Sequence, residues 1–335
     1  MSKLLSIVAA EALIQDALVA SDVSPANAAS VARALVAAEV DGQKGHGFSR
    51  VAAYAAQAKS GKVDGHAIPQ VARPFTGSLI VDAGNGFAFP AIDAAIDGLT
   101  EMLTETGIAI AGIRRSHHCG QLGAHVERLA ERGFVALMVA NSPGAMAPWG
   151  GSRPVFGTNP IAFATPREGA VPLVIDLSLS KVARGKVMAA SKAGKTIPEG
   201  WALNSDGNPT TDPDEALNGT MIPLGDAKGA ALALMVEILS ASLIGANHAF
   251  EASSFFDADG APPGVGQTII AIRPDISGSG YASRLEALLS EILSQEGTRL
   301  PGSGKTEARR IASVQGVEIP EHLLREIEDL TPAAK

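Results

Sequence analysis

The chain has little of what would mark it for a membrane, a nucleic acid or an oxidising compartment. One residue of 335 is a cysteine, Cys119, so no intrachain disulfide can form and a cytoplasmic location is expected. No N-terminal stretch combines a basic start, an apolar core and a cleavage site, and the longest apolar runs are broken by Gly, Pro or a charge before membrane-spanning length. A formal charge of -8 offers no basic field to phosphate backbones, and the pairs Arg114, Arg115 and Arg309, Arg310 are too isolated to form a stripe. Aromatics are only 4% of the residues while hydrophobics are 46%, so the interior must be built from Ala, Leu, Val and Ile. At this length the expectation is two packed units, or one large domain with an appendage.

A dinucleotide fingerprint is also lacking. Gly84 and Gly86 follow a strand-like run, but the third glycine of a Rossmann turn would fall where Phe89 stands. Gly302-Ser303-Gly304-Lys305-Thr306 mimics the end of a P-loop by chance, since Arg299 occupies the place of its first glycine.

What is present reads as an α/β protein. Amphipathic helices are expected over 6–20 and 25–40, the second opened by Ser24 as cap with Pro25 at the first helical position, and a third over 50–59 ending at Gly61. We place a boundary near residue 75, after which strands (78–82, 108–113, 134–141) alternate with helices (90–104, 121–132). Further strands are expected at 161–165, 173–177 and 268–273, a long apolar helix at 228–244, and closing helices at 283–295 and 320–330. The stretch 194–220, rich in Pro, Asp-Gly and Asn-Gly, reads as an excursion made of turns.

Four polar blocks carry chemistry. His46 and Arg50 lie four residues apart in Asp41-Gly42-Gln43-Lys44-Gly45-His46-Gly47-Phe48-Ser49-Arg50, a titratable imidazole and a fixed cation able to address one small carboxylate, where the plain alternative is a solvated loop. Ser116-His117-His118-Cys119-Gly120-Gln121 sits between a strand and a helix, a turn whose backbone N–H groups suit an anion. No carboxylate or second cysteine joins His117, His118 and His125 at ligand spacing, so no metal is expected; His125, His66, His248 and His322 read as structural. Small and polar residues around Asn141, Ser142, Trp149 and Gly157-Thr158-Asn159 let a ligand approach the backbone, and Asp176 ends a strand ahead of the basic Lys181, Arg184, Lys186 segment.

Taken together these blocks, with Pro223-Leu224-Gly225-Asp226-Ala227-Lys228-Gly229, resemble the malate/L-lactate dehydrogenase family of NAD(P)-dependent oxidoreductases that lack a Rossmann fold. The resemblance runs along nearly the whole chain, and the stretches Trp201-Ala202-Leu203 and Pro209-Thr210-Thr211-Asp212-Pro213 look most like its sulfolactate and malate members. It implies a non-Rossmann mixed β-sheet cofactor domain over 75–299, a helical domain formed by 1–74 with 300–335, and a homodimer with active sites near the subunit interface. It implies His46 as proton donor and acceptor, Arg50 on the substrate carboxylate, His118 beside cofactor and substrate, and Asp176 supporting His46. NAD(H) or NADP(H) would be lined by His118, Cys119, Gly120, Gln121, Ser142, Thr158, Asp176, Leu177, Ser178, Arg184, Gly185, Gly225, Lys228 and Gly229, with the segment after Pro301 reaching the adenosine end. One departure matters: family members commonly carry serine just before this histidine, and here that residue is Gly45.

The reaction so implied is hydride transfer between nicotinamide and a small 2-oxo or 2-hydroxy acid, with no nucleic acid and no membrane as partner. The alternatives are reduction of a cyclic imine such as pyrroline-2-carboxylate or piperideine-2-carboxylate on the same fold, and a catalytically silent cofactor-binding protein.

Overall fold

The computed structural model describes residues 2–331. Its N-terminal part is strand β1 (Ser2–Leu5) followed by helices α1 (Ile7–Val19), α2 (Pro25–Val40) and α3 (Val51–Ser60). The Ser6 and Ser24 hydroxyls accept from the Ala9 and Asn27 N–H groups at 3.1 and 3.4 Å, each satisfying an orphan donor of the first turn. Gly61 ends α3 in the left-handed region at φ +76°, a conformation that costs glycine little.

The middle of the chain supplies β2 (Gln70–Phe75), β3 (Ser78–Asp82), α4 (Ala88–Met102), β4 (Ile108–Ser116), α5 (Leu122–Glu131), β5 (Val135–Ala140), β6 (Ile161–Arg167) and β7 (Ala170–Leu177). Then come α6 (Arg184–Lys192), β8 (Ala202–Leu203), β9 (Pro209–Thr210), α7 (Pro213–Asn218), β10 (Thr220–Met221), α8 (Ala227–Glu237) and β11 (Val265–Ile272). Last are α9 (Tyr281–Leu293), α10 (Ser303–Gln315), β12 (Val317–Pro320) and α11 (Glu321–Glu328).

A seven-stranded mixed sheet in the order β2-β3-β4-β11-β5-β6-β7 forms the centre, with β3 and β4 its parallel pair. Helices α4 and α5 pack on one face over a core of Leu79, Ile92, Ile96, Leu99, Leu129 and many alanines. Small side chains stand in for the missing aromatics and bring helix and sheet close together. On the other face a π turn (Ile238–Ser242) prolongs α8 and presses on β11, where a Cβ at Gly266 would lie 2.0 Å from the Ser240 carbonyl oxygen. A second core joins α1, α2 and α3 to Ala312 of α10, Val317 and Ile319 of β12 and Leu324 and Ile327 of α11, so the two ends of the chain share one apolar interior.

The expected elements are found with shifts of a few residues, and three differences have physical causes. The 194–220 stretch is not turns alone: β8, β9 and β10 pair into a three-stranded sheet capped by α7, whose Asp212 carboxylate accepts from Asp214 and Glu215 N–H. Strand β1 was not expected, being a four-residue edge that pairs antiparallel with β12 more than three hundred residues away. Most of the P-loop mimic lies inside α10, so those residues are helical and form no phosphate loop. Among the described residues no helix is long and apolar enough to cross a membrane, and no group of three metal-binding side chains occurs.

Candidate active site

Glu39, buried on α2, shapes the loop that carries His46. Its Oε1 accepts from the Phe48 N–H at 2.7 Å, and the chain folds so tightly over it that a Cβ at Gly47 would sit 2.1 Å from that oxygen. Gly47 is therefore needed for close approach. Two 3-10 turns (Lys44–His46 and Phe48–Arg50) flank it and deliver His46 and Arg50 into one cleft at the start of α3.

The His46 and His118 rings stack with centroids 5.2 Å apart, and His46 Nδ1 lies 3.2 Å from His118 Nε2. On its other side His118 Nδ1 lies 2.5 Å from the Tyr54 hydroxyl. Burial pulls the His46 pKa down to about 4, with the Arg50 charge adding to the effect. His118 is lowered well below the ordinary imidazole range by burial, Arg50, His46 and His117. Both rings are thus neutral at neutral pH in the free protein.

Arg50 is clamped from two sides. Its Nε donates to the Gly45 carbonyl at 2.7 Å and its guanidinium carbon stands 4.5 Å from the centre of the Phe256 ring, a cation–π arrangement. Its Nη1 is buried and has no hydrogen-bond partner. An unpaired buried guanidinium N–H is costly, and an anionic ligand there would satisfy it. The loop bearing Phe255 and Phe256 is tied to α3 by Gln57 Nε2 on the Asp257 carbonyl at 2.8 Å and to the turn after α3 by Lys62 Nζ on the Asp257 carboxylate at 3.0 Å. Phe255 in turn packs edge-on to His117 and tilts against His118.

His117 and His125 are also buried, His117 with neither ring nitrogen hydrogen-bonded. His117 is enclosed by Tyr54, Phe87 and Phe255, and burial lowers its pKa to about 3. His125 Nε2 lies 2.8 Å from the Cys119 carbonyl oxygen. Burial also pushes the Cys119 thiol up to about 12, so it is no nucleophile.

Asp176, expected behind His46, makes no hydrogen bond to it. Its Oδ2 accepts from the Gly123 N–H in the first turn of α5 at 2.7 Å, and the hydrogen-bond partner of His46 is His118. Desolvation of its carboxyl and the nearby Asp41 charge raise its pKa, against the lowering effect of the Gly123 N–H and Lys305. Gln121 is likewise engaged, donating to Asp41 at 3.0 Å and accepting from Lys305 at 3.3 Å.

The expected dinucleotide residues fall largely into one set of interlocked loops. Ser142 Oγ accepts from the Thr158 N–H at 3.1 Å, Leu179 N–H donates to the Thr158 carbonyl at 2.8 Å, and Leu224 N–H donates to the Leu179 carbonyl at 2.8 Å. Glycines make this packing possible: a Cβ at Gly157 would lie 2.2 Å from the Ser142 carbonyl oxygen, and one at Gly229 1.8 Å from that of Leu224. Asp226 sits at φ +57°, an uncommon place for a non-glycine residue, and does not cap α8 with its side chain, while the Lys228 N–H in the first turn donates to the Gly225 carbonyl at 3.2 Å. This cradle of close backbone and uncapped helix fits a dinucleotide. Arg184 stands apart, donating to the Leu217 carbonyl at 3.0 Å, while Gly185 has open space around its Cβ position and Lys228 is exposed.

Tyr54, Phe255 and Phe256 were missed from sequence. Tyr54 follows His46 and Arg50 at the same spacing of four, a signal hidden because a lone tyrosine in an alanine-rich helix reads as core.

A family model described as malate/L-lactate dehydrogenase matches residues 5–328. The chain is 52% identical over 330 residues to a (2R)-3-sulfolactate dehydrogenase (NADP(+)) of Chromohalobacter salexigens, covering 98% of each. It is 36% identical over 332 residues to a Δ1-pyrroline-2-carboxylate reductase of Ancylobacter novellus, covering 98% of this chain and 97% of that one. The crystal structure of Δ1-piperideine-2-carboxylate reductase from Pseudomonas syringae pv. tomato matches with a TM-score of 0.93 at 37% identity, covering 98% of this chain and 99% of that one.

Proposed function

This chain belongs to the malate/L-lactate dehydrogenase family, and from that membership we propose that it interconverts a small 2-oxo acid and its 2-hydroxy acid with NADP(H), 3-sulfolactate being the first candidate. It is an NAD(P)-dependent oxidoreductase. The observation that carries the substrate class is Arg50: a buried cation with an unpartnered Nη1, one turn from a histidine that titrates, fits a carboxylate next to a group that exchanges a proton.

The fork of Arg50 fixes the carboxylate, and the Phe256 ring holds the fork. The neighbouring carbonyl oxygen then faces His46. A bound carboxylate raises the pKa of His46 from its low free value, so the ring takes up a proton as the acid binds and passes it to the oxygen during reduction. In the reverse direction the neutral ring accepts the hydroxyl proton. When bound, the nicotinamide supplies or takes up the hydride. Ser142, Thr158, Leu177, Ser178, Gly225 and Gly229, with His118, Cys119, Gly120, Gln121, Asp176, Arg184, Gly185 and Lys228, would hold the dinucleotide.

The catalytic side chains come from both expected parts, His46 and Arg50 from 1–74 and His118 from 75–299, which supports that division. We assign a cytoplasmic homodimer. Leu232, Leu234, Met235 and Ile238 leave an exposed apolar face on α8 and its continuation, and such a face in one copy is suited to cover by another.

A second reading is reduction of a cyclic imine acid. The Phe256 ring beside Arg50 and the Phe255 ring beside His118 would accept ring methylenes, and relatives with that activity span the chain. Oxidation of NADPH and NADH with sulfopyruvate, oxaloacetate, pyruvate and pyrroline-2-carboxylate separates the two. Turnover of a 2-oxo acid, with sulfopyruvate foremost, is expected; turnover of the imine alone would replace the first reading with the second.

A further inference from the structure

The His46 ring needs a holder, and Gly45 has no hydroxyl to offer. A Cβ at Gly45 would meet nothing within 4 Å, and the residue is held instead through its carbonyl, which accepts from Arg50 Nε. Among the described residues the one side chain hydrogen-bonded to His46 is His118. We propose that Tyr54 is the positioning residue of the site: through His118 it sets which nitrogen of His46 carries the proton. This rests on the proposed reaction, in which His46 exchanges the substrate proton.

The contact between two imidazole nitrogens permits only one hydrogen, so His46 Nδ1 and His118 Nε2 must be one donor and one acceptor. The direction is decided at the far end, where His118 Nδ1 meets the Tyr54 hydroxyl. If Tyr54 donates, His118 carries its proton on Nε2 and gives it to His46 Nδ1, which leaves His46 presenting Nε2–H to the cleft. If the chain reverses, His46 Nδ1–H donates to His118, His118 Nδ1–H donates to the tyrosine oxygen, and His46 presents a lone pair. In the first the neutral ring offers only an Nε2–H hydrogen bond to the bound oxygen; the second leaves Nε2 free to accept the hydroxyl proton and gives the protonated ring an acceptor for its Nδ1–H. A hydroxyl is both donor and acceptor, so Tyr54 supports either.

The resting direction comes from burial. Tyr54 is fully enclosed between Phe87, Phe89 and the two histidines, and its hydroxyl has no other partner among the described residues. Reversal would strand its hydrogen in an apolar pocket, so the donating direction is preferred in the free enzyme. The charged and titratable groups facing this chain are Arg50, His117 and Cys119, with Lys62 acting on His117 and no carboxylate hydrogen-bonded to either ring. The device therefore fixes a tautomer and leaves charge to the bound acid.

Histidine 15N spectra of the wild-type protein test the direction without any substrate, and steady-state kinetics of Tyr54→Phe test its use. We expect His46 and His118 both as Nε2–H tautomers. We expect the variant to lose about 10- to 100-fold in kcat with little change in KM, with altered His118 signals and an unchanged NADPH affinity. Wild-type rings protonated on Nδ1, or a Tyr54→Phe enzyme with full kcat, would overturn the proposal. The two readings fail separately: the expected tautomers without turnover of any 2-oxo acid would discard the reaction and keep the chain. Full turnover in Tyr54→Phe would discard the chain and keep the reaction.

Discussion

His46 and His118 stack almost parallel, 13° apart, with a nitrogen of one 3.2 Å from a nitrogen of the other. Such closeness leaves room for one hydrogen between them and is tolerable only while no more than one ring is charged. His46 and His125 are lowered to about 4 and His117 to about 3 by burial, so the unfolded chain, with imidazoles near the ordinary value of about 6.5, binds more protons than the folded one as pH falls. Their contribution to stability is complete above that ordinary value and is lost as pH drops toward about 4. Thermal melts should show Tm falling by roughly 5 to 10 °C between about pH 7.5 and pH 5, corresponding to a few kcal/mol. A flat or rising Tm over that window would mean the histidines are not held neutral.

Arg50→Lys should act on substrate binding. An ammonium cannot reproduce the planar fork or lie flat on Phe256, so KM for the 2-oxo acid should rise about 10- to 100-fold with a smaller loss in kcat. Steady-state kinetics decide it, and an unchanged KM would make Arg50 structural.

Arg309 of α10 binds Asp41, just past α2, at 2.6 and 2.9 Å and Glu127 of α5 at 2.7 Å, stapling α10 to the end of α2 and to α5. Asp41 is almost fully enclosed and Arg309 partly open, so Asp41→Asn should cost about 2–3 kcal/mol in urea unfolding. A loss within experimental error would leave the staple without energetic weight.

Replacing Ile238 with Glu places a charge on the exposed apolar face of the α8 extension. Light scattering should give about twice the 34.2 kDa chain mass for the wild type and a shift toward the single chain for the variant. A monomeric wild type would remove the dimer.

Local chemistry was legible in sequence where it acts over short range. Ser24 with Pro25, Gly61, and the His46 and Arg50 spacing each announce their structure within a turn of helix. What depends on distant pairing was not. Strand β1 exists because β12 lies beside it, and Asp176 was assigned to His46 although its nearest donor proved to be Gly123, an encounter set by how α5 packs on β7. The Tyr54 contact needed the fold for the same reason, since His118 stands sixty-four residues away.

The most direct test of His46 as the proton-exchanging group is the rate of NADPH oxidation by His46→Ala with saturating 2-oxo acid, alongside NADPH binding read from quenching of Trp149 and Trp201 emission. The rate should fall by about 100-fold or more while cofactor affinity stays within about twofold. A variant that turns over at the wild-type rate would show that the proton comes from elsewhere.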